Sequence, residues 1–435
     1  MGCCWGEPSG YSLLYHMIVQ NNLMGWSRFD TIIISVEQVA YCMAISRAIV
    51  LAAGEGTRLQ PLTHNRPKPM LPVGNRPILE YVLDALVEAG IKQLHIVVGY
   101  RSERVQAHVG PTYRGRPVTY HHQEKQLGSG HALLQAANVL NEDVVVANGD
   151  QVVDNRLVEQ VIETHDSEAI GTLALVDSEA VDLYGGVVVE NGQVVDLVDA
   201  AATDRTHLLN AGVYAFDPKI VETIEGVDPV REERSLLSAI QRCVDDDKHV
   251  RGVVTDALWA DATYPWAVLS VSRELFTGGT IARSGHAVHD TARIDAEASI
   301  TEPVAIGPDV EVGPNASIGP YASIGENVSI GPGAVVENSV VDDDTRVGAN
   351  ATVIDCVTGQ GVLIGPGSVV LGGPGDVQVG SRVFENKPLG ALLADRAAAT
   401  GGVTFTPGTL VGSGATLHPG TTVHGTIAAG AEVTR

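Results

Sequence analysis

The last third of this chain carries apolar residues at every sixth position, a regularity that limits the fold severely. Nine successive branched aliphatic residues keep that spacing: Val288, Ile294, Ile300, Ile306, Val312, Ile318, Ile324, Ile330 and Val336. Nine consecutive matches argue against chance patterning, and a fixed period is the signature of stacked units that bury one continuous core. The phase slips at Asp342-Asp343-Asp344, resumes at Val347 and Val353, is interrupted from Gly372 to Gly402, and returns at Val411, Leu417 and Val423.

This period resembles the hexapeptide repeat of left-handed parallel β-helices. In that fold, three hexapeptides form one triangular coil, and a branched aliphatic side chain points inward from each side. The resemblance implies a left-handed parallel β-helix domain over residues 281–435. It also implies a homo-oligomer, with a trimer favoured, because domains of this kind commonly trimerise.

A glycine-containing stretch near the start of the preceding region points to phosphate binding. It reads Leu51-Ala52-Ala53-Gly54-Glu55-Gly56-Thr57-Arg58-Leu59, and Arg66-Pro67-Lys68-Pro69 follows seven residues later. The apolar run at residues 48–51 predicts a buried strand. Glycines let backbone approach a ligand, and successive amides in such a loop can form an anion-binding concavity. With Arg58 and Lys68 adding positive charge, we predict a phosphate site at the carboxyl end of the first strand, where open α/β sheets bind ligands.

Strand and helix patterns alternate after this stretch. Residues 78–89 and 130–140 are predicted helices, and residues 94–98 and 144–147 are predicted strands. Alternation of this kind predicts an α/β fold with a Rossmann-like, mixed parallel sheet. The second strand ends at Asn148-Gly149-Asp150, and Asp150 at the sheet edge could hold Mg²⁺, which typically uses one or two carboxylates plus substrate oxygens and waters.

Other motifs supply residues suited to ligand contact. The run from Gln123 to Ala132 combines a side-chain amide, which both donates and accepts, with glycines before a helix. Gly185 and Asn210 lie in two further glycine-containing stretches, and Asp261 is a second candidate metal ligand. Each of these motifs would be ordinary alone, as a turn or a bulge.

Taken in order, these motifs over residues 47–275 resemble the sugar-1-phosphate nucleotidyltransferases. Leu-Ala-Ala-Gly-x-Gly-Thr-Arg-Leu followed by Pro-Lys is that family's signature. The Gln-x-x-Gln-Leu-Gly-Ser-Gly-His-Ala run is similar to bifunctional N-acetylglucosamine-1-phosphate uridylyltransferases, and the Pro-Trp at residues 265–266 is similar to archaeal glucose-1-phosphate thymidylyl- and uridylyltransferases. The resemblance implies that a sugar-phosphate oxygen attacks the α-phosphorus of UTP or dTTP in line, and that pyrophosphate leaves without a covalent intermediate.

The resemblance also assigns roles to individual positions. Arg58 and Lys68 would be catalytic, and Asp150 and Asp261 would coordinate Mg²⁺. The nucleotide would be bound by Leu51, Ala53, Gly54, Gly56, Thr57, Gln123, Gly128 and Ser129. The sugar pocket would be lined by Gly185, Asp199 and Asn210.

Two positions depart from the family pattern. Asp199 stands where the family usually carries Glu, and Ala267 follows Pro-Trp where archaeal relatives usually carry Asp. We take Asp261 as the metal ligand because it matches the Trp-x-Asp region of the thymidylyltransferases. The altered positions leave a second hypothesis open, a sugar-nucleotide sensor that binds without turnover.

A third hypothesis concerns the repeat domain. Many hexapeptide proteins are acyltransferases that use acetyl-CoA, including the bifunctional relatives, which use a His general base and an acceptor site rich in Lys and Asn. Here no His lies between His289 and His418, and Lys387 is the sole lysine of the domain. His418, Asn386 and Lys387 are therefore weak acetyltransferase candidates, and a purely structural or oligomerising β-helix is favoured.

Composition restricts the remaining possibilities. The formal charge of −24 argues against nucleic-acid binding, whose footprint would be basic. Only six of the 28 basic residues are lysine, which suggests a halophilic protein kept soluble by its acidic surface. No run approaches the length of a transmembrane helix, so we predict a cytoplasmic protein without membrane partners. We divide the chain into an extension at 1–46, disordered or preceding the true start, a nucleotidyltransferase domain at 47–280 and the β-helix at 281–435.

Overall fold

The computed structural model describes residues 45–178, 185–198, 208–229, 233–283 and 288–434. Residues 1–44 of the proposed extension lie outside these ranges, as does Asp199. No helix within them is both long and apolar enough to cross a bilayer. The described chain contains an α/β region followed by a stack of short parallel strands.

The α/β region is built on a ten-stranded mixed sheet. Its strands, with those of two small ribbons, are β1 (Arg47–Ala52), β2 (Pro72–Val73), β3 (Arg76–Pro77), β4 (Gln93–Val98), β5 (Thr112–Tyr113), β6 (Arg116–His122), β7 (Val144–Asn148), β8 (Gln151–Val153), β9 (Gly171–Asp177), β10 (Gly186–Glu190), β11 (Gln193–Val198), β12 (Leu208–Phe216), β13 (Val250–Thr255) and β14 (Trp259–Asp261). The order across the large sheet is β10-β11-β13-β9-β12-β7-β1-β4-β6-β5, and β8 pairs with β14 outside it.

Parallel pairing at the centre of this sheet gathers several predicted motifs at one edge. β1 pairs in parallel with β4 and β7, and β4 pairs in parallel with β6. The glycine loop follows β1, Gln123 follows β6 and Asp150 follows β7, so all three lie at the same carboxyl edge. The strands can run through the centre because they are apolar on both faces, as expected for sheets covered by helices.

Helices cover the sheet: α1 (Ile78–Glu88), α2 (Ser102–Val109), α3 (Ser129–Leu134), α4 (Asn155–Thr164), α5 (Ile220–Gly226), α6 (Leu236–Asp245), α7 (Ala267–Thr277) and α8 (Thr280–Arg283). Short 3₁₀ turns occupy Thr57–Leu59, Leu62–His64, Lys68–Met70 and Ala137–Val139. The predicted helix at 130–140 is wrong in its second half. The amides of Gln135 and Ala136 bond the carbonyls three residues back, which tightens the chain into a 3₁₀ turn.

Three parallel sheets form the faces of the C-terminal β-helix. The first contains Arg293–Ile294, Glu311–Val312, Ser329–Ile330, Arg346–Val347, Leu363–Ile364, Ala398–Ala399, Thr416–Leu417 and Glu432–Val433. The second contains Ser299–Ile300, Ser317–Ile318, Val335–Glu337, Thr352–Ile354, Val369–Leu371, Thr404–Phe405 and Thr422–Val423. The third contains Val304–Ile306, Ala322–Ile324, Val340–Val341, Cys356–Thr358, Ala391–Leu393, Thr409–Val411 and Thr426–Ile427.

The register confirms the hexapeptide interpretation. Ile294 pairs with Val312 and Val312 pairs with Ile330, so one coil takes three six-residue sides. The predicted phase slip is a coil one residue shorter, in which Ile330 pairs with Val347. A second irregularity is an antiparallel hairpin, Gly375–Val379 with Arg382–Lys387, which we call the inserted hairpin.

The predicted interruption from Gly372 to Gly402 is too long. The coil resumes at Ala391, and Leu393, Ala399 and Phe405 then occupy successive inward positions, all fully buried. The sequence pattern missed this coil because Ala399 and Phe405 replace the branched aliphatic residues that would have marked Leu393 as part of a repeat. The three still keep the six-residue spacing.

The β-helix packs directly on the α/β region through an apolar cluster. Leu59, Leu62 and Leu71 contribute from the segment after β1, and Leu389 and Leu410 contribute from the coils. All five are at most 2% exposed. The segment carrying Lys68 therefore lies between the sheet edge and the coils.

A buried histidine on β4 gives a pH-dependent prediction. His95 Nδ1 lies 3.2 Å from His121 Nε2, and burial, with His121 and Arg47 nearby, lowers the pKa of His95 to about 4. The folded state therefore resists protonation of His95, and stability present above pH 6.5 is lost as the pH falls toward 4. Between pH 7 and pH 5, we expect the free energy of unfolding of His95→Gln to fall by about 1–2 kcal/mol less than that of the native chain, because glutamine does not titrate. Thermal unfolding at both values measures this, with the exposed His424→Gln as control; equal losses in the native chain and both variants would contradict it.

Candidate active site

The centre of the site is the ammonium group of Lys68, which faces two carboxylates from different elements. Lys68 Nζ lies 3.0 Å from Asp150 Oδ2, after β7, and 2.6 Å from Asp261 Oδ1, at the end of β14. Thr263 Oγ1 accepts a third hydrogen bond from Nζ at 3.2 Å and donates to Asp261 Oδ2. An ammonium group has three protons, and these three acceptors satisfy all of them.

Burial and the two acids have opposite effects on Lys68. Burial disfavours the charged ammonium, but Asp150 and Asp261 outweigh it and hold the pKa of Lys68 above its ordinary value. Lys68 is only 6% exposed, so its charge is little screened by water. Lys68 is therefore held as an ammonium ion between the two carboxylates at the sheet edge.

The two carboxylates also converge well enough to hold a metal. Both bind the same ammonium, which shows that a single cation can be shared between them. The described residues contain no group of three or more acidic, His or Cys side chains that could hold a metal ion, so Asp150 and Asp261 would supply two ligands and leave the other positions to substrate and water. Ala267, the position noted above as a departure from the family pattern, begins α7 and lines a third cavity, which Asp261 also borders.

On one side of Lys68 lies a cavity of about 360 Å³ that we call the loop cavity. The predicted residues that line it are Leu51, Ala53, Gly54, Gly56, Lys68, Gln123, Gly128, Ser129 and Asp150. Gln126, which was not predicted, also lines it and donates from Nε2 to the Ala53 carbonyl at 3.2 Å, joining the two loops. The cavity is thus bounded by both glycine motifs of the sequence.

The amide of Gln123 is held in one orientation inside the loop cavity. Gln123 Nε2 donates to the Gly128 carbonyl at 3.1 Å and lies 2.9 Å from His131 Nδ1. Both amide protons are therefore used, and Oε1 is the atom that can accept from a ligand. Ser129 also makes a hydrogen bond within the protein, because its Oγ accepts from the Leu236 amide at 2.9 Å.

Gly128 is required by close backbone packing. Its φ is +92°, and a Cβ there would lie 2.5 Å from the Arg234 carbonyl oxygen. The Arg234 amide donates to the Leu127 carbonyl at 2.7 Å, so the two segments are tied together. Only glycine combines this φ with such a close approach.

A second cavity, of about 570 Å³, is lined by Asp261, the partner of Lys68, and we call it the β12 cavity. Gly185, Asn210 and Asp261 line it, as does Asn148, which borders the loop cavity too. Asn210 Nδ2 donates to the Tyr214 hydroxyl at 2.7 Å, and burial raises the pKa of that tyrosine to about 12, so the hydroxyl stays protonated. The predicted pocket residue Asp199 lies outside the described residues.

Gln151 is a further polar residue at the β12 cavity that was not predicted from the sequence as a site residue. Gln151 is 9% exposed, and its Oε1 is buried without a hydrogen-bond partner. Gln151 pairs with Asp261 across β8 and β14, which places it beside the metal candidates. The available signal was a short strand of one polar and two apolar residues directly after Asp150.

Two predicted residues lie at the periphery. Thr57 and Arg58 are exposed on the 3₁₀ turn after the glycine loop. The Arg58 guanidinium carbon lies 5.9 Å from the centre of the Tyr264 ring. Arg58 therefore lies near the ring of Tyr264, three residues after Asp261, but it lines neither the loop cavity nor the β12 cavity.

The three acetyltransferase candidates are distributed over separate elements. Asn386 and Lys387 are on the inserted hairpin, whereas His418 follows a strand of the first sheet. Lys387 Nζ lies 5.5 Å from the ring centre of Trp266, in the α/β region. Within the described ranges, no hydrogen bond or ion pair joins His418 to either hairpin residue.

The chain belongs to the nucleotidyl transferase family, which matches residues 47–276. Residues 300–434 match a second family, described as the GMPPB C-terminal domain. The two matches correspond to the mixed sheet with its cavities and to the β-helix.

Similar curated proteins include examples from Methanococcus maripaludis and Haloferax volcanii. A Methanococcus maripaludis protein named bifunctional protein GlmU is 32% identical over 391 residues, covering 84% of this chain and 92% of that protein. Haloferax volcanii has the low-salt glycan biosynthesis nucleotidyltransferase Agl11, 32% identical over 336 residues, covering 73% and 94%. The UTP–glucose-1-phosphate uridylyltransferase AglF of the same organism is 33% identical over 223 residues, covering 50% and 92%.

Proposed function

We propose that this protein transfers a nucleotidyl group from UTP or dTTP to a sugar-1-phosphate, with Mg²⁺ as cofactor, and releases pyrophosphate. The observation that carries the proposal is the position of Lys68, which meets Asp150 and Asp261 where the loop cavity borders the β12 cavity. Two anionic substrates bound in adjoining cavities would bring their phosphates to this point.

The residues of the chain would act by positioning and charge neutralisation. The backbone of Gly54 and Gly56 would cradle the triphosphate, and Lys68 would hold the sugar phosphate in line with the α-phosphorus. Mg²⁺ held by Asp150 and Asp261 would neutralise phosphate charge. Positioning and preorganised charge together can supply most of the acceleration in such transfers, because little covalent chemistry is required of the protein.

The nucleobase preference follows from Gln123. Its Oε1 can accept from the imide N–H of uracil or thymine, which supports UTP or dTTP. In the β12 cavity, Gln151 Oε1 and Asn210 would accept from sugar hydroxyls. Gln151 in particular is a buried acceptor that only a ligand or water can satisfy.

A substrate matrix tests the proposal. Pyrophosphate release is measured for all four ribonucleoside triphosphates and dTTP against glucose-1-phosphate and N-acetylglucosamine-1-phosphate, in dilute buffer and in molar KCl. We expect turnover with UTP or dTTP, and highest activity in KCl if the acidic surface is a halophilic adaptation. Binding of substrates without turnover in every combination would instead support the sensor hypothesis.

The phosphate-binding loop is tested by Gly54→Ala. A Cβ at Gly54 meets no protein atom within 4 Å, so the variant should fold with unchanged thermal stability. If the triphosphate approaches this backbone closely, KM for the nucleotide should rise about tenfold or more, equivalent to about 1.4 kcal/mol. Steady-state kinetics with saturating sugar phosphate measures this. An unchanged KM would place the triphosphate elsewhere.

A second activity, acetyl transfer from acetyl-CoA, is suggested by the alignment with a protein named bifunctional over 84% of this chain. His418, Asn386 and Lys387 would be its candidates, although they are distributed over separate elements. Thiol release from acetyl-CoA with glucosamine-1-phosphate tests it, and no release would leave the β-helix with a structural or oligomerising role. A trimer remains a prediction, which light scattering of the purified protein can check.

A further inference from the structure

A buried arginine next to the active site connects it to the β-helix. Arg66 precedes Lys68 by two residues and is 6% exposed. Arg66 Nη1 lies 2.5 Å from Asp342 Oδ2, and Nη2 donates to Asp395 Oδ1 at 2.8 Å. Both carboxylates belong to the β-helix and are at most 5% exposed. Asp342 is the first residue of the acidic run at the phase slip.

The coil corner that receives Arg66 is shaped for it. Asp342 and Asp395 follow strands of the third sheet, and Gly359 lies on the coil between them. A Cβ on Gly359 would lie 2.3 Å from Asp395 Oδ1, so only glycine lets the acid reach this position. The Gln360 amide donates to the same oxygen at 3.0 Å, and the Asp342 amide donates to Thr358 Oγ1 at 2.9 Å. The Asp343 amide also donates to Asp342 Oδ1 at 2.9 Å, so contacts within the coils orient both acids independently of Arg66.

Such a buried ion cluster is a poor source of stability. Removing two carboxylates and a guanidinium from water has a large desolvation cost, and buried ion pairs often stabilise no better than apolar side chains of similar volume. What the cluster does supply is a defined geometry, because a planar guanidinium bound to two fixed acids has one orientation.

The chain between Arg66 and Lys68 transmits that orientation. Pro67 separates the two residues and Pro69 follows, so proline rings restrict the backbone on both sides of Lys68. Pro67 is extended, with φ −72° and ψ 154°, and a 3₁₀ turn begins at Lys68. Fixing Arg66 therefore fixes the direction in which the Lys68 side chain leaves the backbone.

The β-helix also contacts the segment that follows Asp261, one of the partners of Lys68. On the inserted hairpin, Phe384 packs against Tyr264 and Trp266, with ring centres 5.0 Å and 5.1 Å apart. Tyr264 follows Thr263 directly and lies three residues beyond Asp261. Both segments that form the Lys68–Asp261 pair thus contact the β-helix.

We propose that the β-helix is a positioning module for nucleotidyl transfer, in which Arg66, held by Asp342 and Asp395, sets Lys68 against Asp150 and Asp261. This inference rests on the proposed function, because it assumes that Lys68 acts in nucleotidyl transfer. Arg66 is a positioning residue that acts through Lys68, and the coils contribute to the reaction without binding a substrate of their own.

The test compares two variants in the full-length protein. Arg66→Met removes the ionic anchor, and Leu389→Ala creates a cavity elsewhere in the same interface. We expect Arg66→Met to lower kcat about ten- to hundredfold, the effect of misplacing a catalytic group by about 1 Å, with both KM values within about twofold. Leu389→Ala should lower the unfolding temperature but keep kcat near the native value at temperatures where both variants are folded. Unchanged kcat in Arg66→Met, or an equal loss of kcat in Leu389→Ala, would overturn the proposal.

Two additional measurements keep the result decisive. If Arg66→Met fails to fold, Arg66→Lys retains the charge but cannot span both acids, and it should show the same loss of kcat. Hydrogen exchange over residues 66–71 gives a readout independent of turnover, and loss of the anchor should accelerate exchange there relative to Leu389→Ala. If the native protein releases no pyrophosphate, the proposed function fails, while equal exchange in the two variants would refute the positioning role itself.

Discussion

Replacing Lys68 with methionine should lower kcat/KM for pyrophosphate release about a thousandfold or more, the scale expected when preorganised charge is removed from a transition state. Lys68 is a buried cation that lines the loop cavity and binds Asp261, which lines the β12 cavity, and Asp150 and Asp261 keep its pKa high enough for it to stay charged throughout the neutral range. Methionine resembles the unbranched apolar stem of lysine but lacks the ammonium group, so it removes the charge and the three hydrogen bonds.

The matched control for this change is Lys92→Met. Lys92 is an exposed lysine immediately before β4, on the opposite edge of the sheet from the glycine loop. It should retain native activity. Retention of more than about a tenth of kcat/KM by Lys68→Met would exclude Lys68 from the reaction, because the loss would then be no more than about 1.4 kcal/mol.

The second large effect is expected for Asp261→Asn. Asparagine keeps the shape of the side chain and its contact with Thr263, but it removes one of the two carboxylates that can share a cation. We expect kcat to fall about a hundredfold or more and the Mg²⁺ concentration for half-maximal activity to rise, because Mg²⁺ prefers carboxylate oxygen. Titration of activity with Mg²⁺ measures both effects.

Asp256→Asn serves as the control for that titration. Asp256 is an exposed carboxylate five residues away that lines the cavity beside α7. Its removal changes the net charge by the same amount and should leave the Mg²⁺ dependence unaltered. A native Mg²⁺ curve for Asp261→Asn would show that the metal is held without this side chain.

The sequence could predict those features that depend on local pattern. Six-residue spacing identified the coils, and apolar runs ending in glycine or acid identified β1 and β7 with the residues that follow them. These succeed because the period of an element and the end of a strand are both visible in a short window. The same window failed at Ala399 and Phe405, whose inward positions are set by the stack above and below them and not by residue type.

Contacts between distant segments could not be predicted in this way. Arg66 and Asp395 are 329 positions apart, and Lys68 and Asp261 are 193 apart. In the sequence, Arg66 is only one of the arginines that precede Lys68. Its burial results from the packing of the β-helix against the α/β region, which no short window of sequence shows. The free acceptor on Gln151 is likewise a property of its surroundings, since a glutamine on a strand is usually paired or solvated.

The inserted hairpin has a consequence for how such chains can diverge. Cys356 pairs with Ala391 across the insertion, and the coils before and after it keep their parallel pairing. Residues can therefore be inserted at a corner of the β-helix without altering the parallel pairing of the coils on either side. Changes in length at that corner could alter how firmly the catalytic region is held while leaving the folding of the coils intact. Natural variation in turnover among related chains would then be sought in corner insertions rather than in the number of coils.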